Sequence, residues 1–167
     1  FSGMTESAKG GEPTLLLYYP PGYGLDRFRA LYTQGRRSEA SHWSMHLAAE
    51  HGFRVVSSHD FRWPFLGNLL RKASYWLLWF DLPHLLANWS SVRQADAVWA
   101  MSEREMIPAL LAAGPDNRVT GEIIWLLDEW PKYAWLRRLL LRPLLRRTAR
   151  VLAMTERCRQ GWEGIMP

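Results

Sequence analysis

Val98-Trp99-Ala100-Met101-Ser102-Glu103-Arg104 recurs, barely changed, as Val151-Leu152-Ala153-Met154-Thr155-Glu156-Arg157. Each copy is an apolar run too short for a helix, then a hydroxyl residue able to cap one, then charged residues suited to a first helical turn. Both copies predict a buried strand turning into a helix. In an open parallel sheet such turns lie at the carboxyl ends of the strands, where the N–H groups of a helix N-terminus can receive an anion or a polar ligand. Ser102, Thr155 and Glu156 are candidate binding residues on that ground. The material between the copies does not repeat, so they are two turns of one sheet and not units of a solenoid.

Thr14 to Tyr19 is a short apolar run ending in Pro20-Pro21-Gly22-Tyr23-Gly24, a central strand followed by a glycine turn. Ala40, Trp43, Leu47 and Ala48 fall at helical spacing between Arg36 and His51, and Gly52 stands where a left-handed cap would end that helix. Phe53 to Ser57 resumes as a strand. Strand, helix, strand requires a crossover and therefore parallel pairing. Leu66 to Ser91 reads as one broken helix or two, with Pro83 starting the second, and Trp76 to Phe80 is apolar on every side of a helix wheel. Ala97 to Met101 is the third strand, and Ser102 with Glu105 has the form of a capping box. Its helix ends near Gly114-Pro115. Val119 to Leu127 and Arg150 to Met154 complete five strands. Together they predict an α/β fold, a doubly wound, mostly parallel Rossmann-like sheet of about five strands with helices on both faces, in the order 3-2-1-4-5.

A chain of 167 residues with 48% apolar composition is long enough for one domain with a real core. Residues 1–13 read as a loose lead-in without the pattern of a signal peptide, and a start on Phe1 fits processing or a fragment. No run approaches the ~20 apolar residues of a membrane-spanning helix. The single cysteine, Cys158, reads as a core thiol and fits a reducing, cytoplasmic setting. The net charge of +5 is uneven: Lys132, Arg137, Arg138, Arg142, Arg146, Arg147 and Arg150 lie between Pro131 and Arg150 with no acidic residue. Basicity confined to one element favours a local anionic contact over nucleic acid. Leu136, Leu140 and Leu144 form one row of that predicted helix, and Arg138, Arg142 and Arg146 another. With Arg137 and Arg147 they predict a peripheral membrane-surface helix at the inner membrane face, or alternatively a sheet-covering helix with a solvated outer side.

Gly22, Tyr23 and Gly24 can let backbone approach a phosphate or a sugar, although PPGYG is not the GxGxxG fingerprint and a long segment separates it from the helix expected at Arg36. A nicotinamide or flavin site is therefore not expected. Asp128 and Glu129 directly follow a strand, where a carboxylate can take a proton from a hydroxyl, hold sugar hydroxyls, or cap the next helix. His42 and His46 have the spacing of paired metal ligands, but Trp43 stands where a metalloprotease motif needs glutamate, and no metal site is predicted. His59-Asp60, just past the second strand, is a weak pair of the same kind.

The order of these features resembles the N-terminal, acceptor-side domain of a retaining glycosyltransferase of the GT-B fold. The matching stretches are TLLLYYPPGYG, the step from Leu47 to Val56, the strand tip GEIIWLLDEW, and Ala149 to Thr155. The resemblance spans nearly the whole chain through individually loose motifs. It implies transfer of a glycosyl unit from a nucleotide sugar to a hydroxyl acceptor with retention, needing no metal or other cofactor. It also implies that residues 14–167 are one lobe whose C-terminal nucleotide-sugar domain is absent, so the lobe is inactive alone. Gly22, Tyr23 and Gly24 would then lie by the donor phosphate and sugar, Asp128 or Glu129 at the reacting sugar as catalytic residues, and Ser102, Thr155 and Glu156 along the rim. Many relatives carry histidine at the GEIIWLLDEW tip, where this chain has Leu127-Asp128-Glu129. Two other readings stand beside this one: a nucleotide-sugar epimerase of the same architecture, and a non-catalytic membrane-surface or ligand-binding module.

Overall fold

The computed structural model describes residues 11–61, 64–78, 80–115, 117–123, 143–144, 146–153, 155–156 and 159–160. Five strands, β1 (Thr14–Tyr18), β2 (Arg54–Ser57), β3 (Ala97–Ala100), β4 (Arg118–Ile123) and β5 (Thr148–Ala153), form one sheet in the order β2-β1-β3-β4-β5. Every neighbouring pair is parallel. The described helices are α1 (Leu25–Thr33), α2 (Phe65–Leu78), α3 (Leu82–Gln94) and α4 (Glu103–Ala112), with a 3-10 stretch at His42–His51. This is a doubly wound, Rossmann-like α/β sheet.

Alternation along β1 divides the core between the two faces. Leu16 and Tyr18, with Val98, Ala100 and Val119, pack against Leu85 and Val92 of α3 and Met106 and Leu110 of α4. Leu15, Leu17 and Tyr19 turn the other way, onto Leu25 of α1 and onto Met45 and Ala48. A strand covered on both faces must be apolar throughout, and β1 is buried at all its positions.

The strand order departs from the expected 3-2-1-4-5. β3 pairs with β1, so β2 becomes an edge. The residues explain why: Arg54 is exposed and the rest of β2 is half-buried, unlike the residues of an inner parallel strand, whereas Val98 and Ala100 of β3 are fully covered. The paired helices α2 and α3 form the long connection that carries the chain back past β1.

Two helix expectations also change. A helix begins at Leu25, immediately after the glycine turn, where none was expected. The stretch expected as a helix from Arg36 is instead 3-10 from His42, with Trp43 (φ 51°) and Ser44 (φ 52°) in the left-handed region. Side-chain bonds hold that reversal: Glu39 accepts the Ser44 N–H, and the Trp43 indole reaches Glu122 at 2.8 Å. Three other expectations hold, while the end of the fourth strand at Leu127 and the basic helix after Pro131 lie outside the described residues. Gly52 is a left-handed cap at φ 81°, Leu66 to Ser91 divides into two helices with Pro83 in the first turn of the second, and Ser102 caps α4.

Candidate functional site

In this strand order β2 lies on one side of β1 and β3 on the other, which puts a topological switch point between the carboxyl ends of β1 and β3. The loop after β1, Tyr19 to Gly24, and the turn at Met101-Ser102 flank it. The first loop is held from three directions. Ser58 Oγ accepts the Tyr19 N–H and donates back to the Tyr19 carbonyl, at 3.0 and 3.1 Å. Asp60 Oδ1 accepts the Gly22 N–H at 2.7 Å. His84 of α3 reaches the Tyr19 carbonyl from below, with Nε2 3.0 Å away.

A carbonyl only accepts, so His84 Nε2 carries the hydrogen, and its Nδ1 faces the Asn88 amide at 3.4 Å as an acceptor. Burial holds the His84 pKa below its ordinary value, in keeping with this neutral form. Asn88 also brackets His59, accepting its N–H and donating to its carbonyl. The tips of β1 and β2 therefore form one rigid unit resting on α3.

Gly22 has φ 85°, where a side chain would be strained, and its carbonyl accepts a bond from Arg27. Gly24 caps α1 without any side-chain bond. A Cβ there would be in ordinary contact with Asp60 Oδ2 at 3.7 Å and the Ser58 carbonyl at 3.8 Å, so Gly24 lies against the tip of β2. The exposed ring of Tyr23 has the Arg27 guanidinium 5.9 Å from its centroid. Asp26 and Asp60 are both exposed beside the loop. The loop thus gathers the Asp60 carboxylate, the Arg27 guanidinium and the Tyr23 ring. Because Asp60 already occupies the Gly22 N–H, that amide is not directed at a phosphate.

The remaining candidates are placed less centrally. Ser102 is buried; its Oγ accepts the Arg104 N–H and donates to the Glu105 carboxyl, so the two side chains bond each other and not, as the expected capping box has it, each other's backbone N–H groups. Burial pushes the Glu105 carboxyl up to about 7. Thr155 and Glu156 follow β5, three strands from β1, and Glu156 bonds Arg159 and Gln160 in the open. Arg147 donates to the carbonyls of Ala113 and Gly114, at 2.8 and 3.2 Å, and so caps the end of α4. Arg146 is exposed. Asp128, Glu129, Arg137, Arg138, Arg142 and Cys158 lie outside the described residues.

His46 Nδ1 pairs with Ser41 Oγ at 2.8 Å, and the reversal at Trp43-Ser44 breaks the helical spacing of His42 and His46. Among the described residues no group of three His, Cys, Asp or Glu side chains is placed to hold a metal ion, and no helix is long and apolar enough to cross a membrane. Sequence reasoning missed Ser58, His84 and Asn88 as supports of the loop. It noted Asp60 only as half of a weak pair, and the signal available was its place just past a strand. No protein-family model matches the chain, and neither a curated protein nor a solved structure matches it.

Proposed function

We propose that this chain is the acceptor-side lobe of a retaining glycosyltransferase, and that a sugar hydroxyl acceptor binds at the loop formed by Gly22, Tyr23, Gly24 and Asp60. The observation that carries this reading is the Asp60 to Gly22 bond at 2.7 Å, which turns a glycine turn into a fixed rim bearing a carboxylate. Carboxylates accept hydrogen bonds from sugar hydroxyls and repel phosphate. An exposed tyrosine face packs against the C–H face of a pyranose. This composition favours the acceptor over the nucleotide, whose diphosphate needs cations and unoccupied N–H groups. Under this proposal the nucleotide sugar and most of its contacts belong to a second lobe, and Asp128 or Glu129 serves the reacting sugar.

Saturation-transfer NMR on the 167-residue chain tests the reading, using a panel of methyl glycosides and a panel of nucleotide sugars. At least one glycoside should receive saturation, lost in Asp60→Ala and Tyr23→Ala. Binding of nucleotides without glycosides, or glycoside signals indifferent to both substitutions, overturns it.

A further inference from the structure

α2 is built inside out. At 100° per residue, Phe65, Leu66, Leu69, Leu70, Trp76 and Leu77, six of its seven exposed large apolar side chains, fall on one arc of about 140°, with the less exposed Leu78 outside it at the helix end. Phe65 is 81% exposed and Trp76 77%. The opposite side, which packs on α3, carries the small residues Gly67 and Ser74. That orientation is fixed by polar bonds: Arg71 Nε meets Asp81 at 2.6 Å, and Ser74 Oγ accepts the Leu82 N–H at 3.2 Å. Rolling the apolar arc inward would break both and strand a buried carboxylate at the head of α3. A globular helix ordinarily turns such an arc to the core, so this one is held outward against the hydrophobic effect.

Charge decides what covers it. From Phe61 to Phe80 the chain has Arg62, Arg71 and Lys72 and no Asp or Glu. Exposed Lys72 borders the apolar arc, and Phe65, Leu69, Arg71, Lys72 and Tyr75 line a hollow of about 550 Å³ along that flank. A second copy packed through this same face would bring no carboxylate from residues 61–80 to the seam. An anionic lipid surface satisfies both halves of the pattern at once, acyl chains for the arc and phosphates for the flank. We propose that α2 lies in the headgroup layer of an anionic bilayer, with its apolar arc in the acyl boundary and Lys72 at the phosphates. The sequence alone placed a membrane contact on the cations between Arg137 and Arg147; this surface is a different one, and it stands apart from the sugar-binding proposal.

Sedimentation with phosphatidylcholine vesicles, with and without phosphatidylglycerol, tests it. The parent chain should pellet with the anionic vesicles only, and Leu69→Glu/Leu70→Glu should weaken partitioning by about tenfold or more with an unchanged circular dichroism spectrum. Lys72→Glu should weaken it too, and brominated acyl chains should quench parent fluorescence more than that of Trp76→Phe. Equal binding to both vesicles, no binding to either, or a double variant that pellets like the parent overturns the proposal. So does a concentration-dependent dimer that the double variant dissolves, which would make the arc a contact between copies.

Discussion

Asp60 and Gly22 are 38 residues apart in sequence, yet the carboxylate of one accepts the backbone N–H of the other at 2.7 Å and ties the tips of β1 and β2 together. The bond is exposed, so its net contribution should be near that of an ordinary charge-assisted hydrogen bond. Asp60→Ala is expected to lower unfolding free energy by only about 1 kcal/mol in urea titrations. Asp60→Asn, which keeps an acceptor oxygen, should lose less. Glycoside binding should fall far more than stability does in the alanine variant, because loop position and hydroxyl acceptor are lost together.

Glu105 should make stability fall as pH rises. Its carboxyl titrates near 7 in the folded chain against an ordinary 4.5, so the unfolded state releases the proton first. Stability is therefore lost between about pH 4.5 and 7 and is level above that. The full effect is about 3 kcal/mol. His84 acts in the opposite direction: its lowered value means that acidification below its ordinary 6.5 favours the unfolded chain. Glu105→Gln keeps an acceptor for Ser102 and removes the first effect. Melting curves of parent and variant across this range should converge at acid pH and separate toward pH 8, with the variant the more stable.

Glu122 on β4 is 1% exposed and receives the indole N–H of Trp43 at 2.8 Å and of Trp99 at 2.9 Å. The two indoles bond different oxygens, Trp43 to Oε2 and Trp99 to Oε1, and a carboxamide has an oxygen at only one of those positions. Glu122→Gln would turn an amide N–H toward one indole and should destabilise by about 1 to 3 kcal/mol. Tryptophan emission should change with it, because one ring loses its bond. A variant as stable as the parent, with unchanged emission, would show that the bridge does not hold the Trp43 reversal.

The strands were legible because a short apolar run covered on both faces is written in consecutive residues, as in Thr14 to Tyr19. α1 was not: Asp26, Arg27 and Arg29 interrupt it, only Leu25 and Phe28 are buried, and its cap is a glycine without a side-chain bond. Strand order was illegible for a different reason. Crossover length permits β3 on either side of β2, and the single exposed Arg54 marks the edge only after the alternatives are compared. The role of Asp60 was hidden because it depends on that order. The outward face of α2 was hidden because a stretch apolar on every side does not say which side Arg71 and Ser74 will fasten.

Gly121 and Met106 are the closest test of how α4 meets the sheet. A Cβ on Gly121 would stand 2.4 Å from Met106 Sδ and 2.9 Å from Met106 Cβ. The sulfur end of the side chain can swing away, but the Cβ moves only with the α4 backbone, so the overlap is not relieved by a rotamer change. Gly121→Ala should therefore cost about 2 to 3 kcal/mol, which is large for one added methyl group. Met106→Ala, from a position with no solvent exposure, should cost about 2 to 5 kcal/mol through the cavity it leaves. In the double variant the new methyl occupies part of that cavity, so the two losses should sum to less than their separate values by about 1 kcal/mol or more. Strict additivity in urea titrations would mean that α4 shifts freely over β4, and that the turn at Ser102 is not held in fixed relation to the glycine loop.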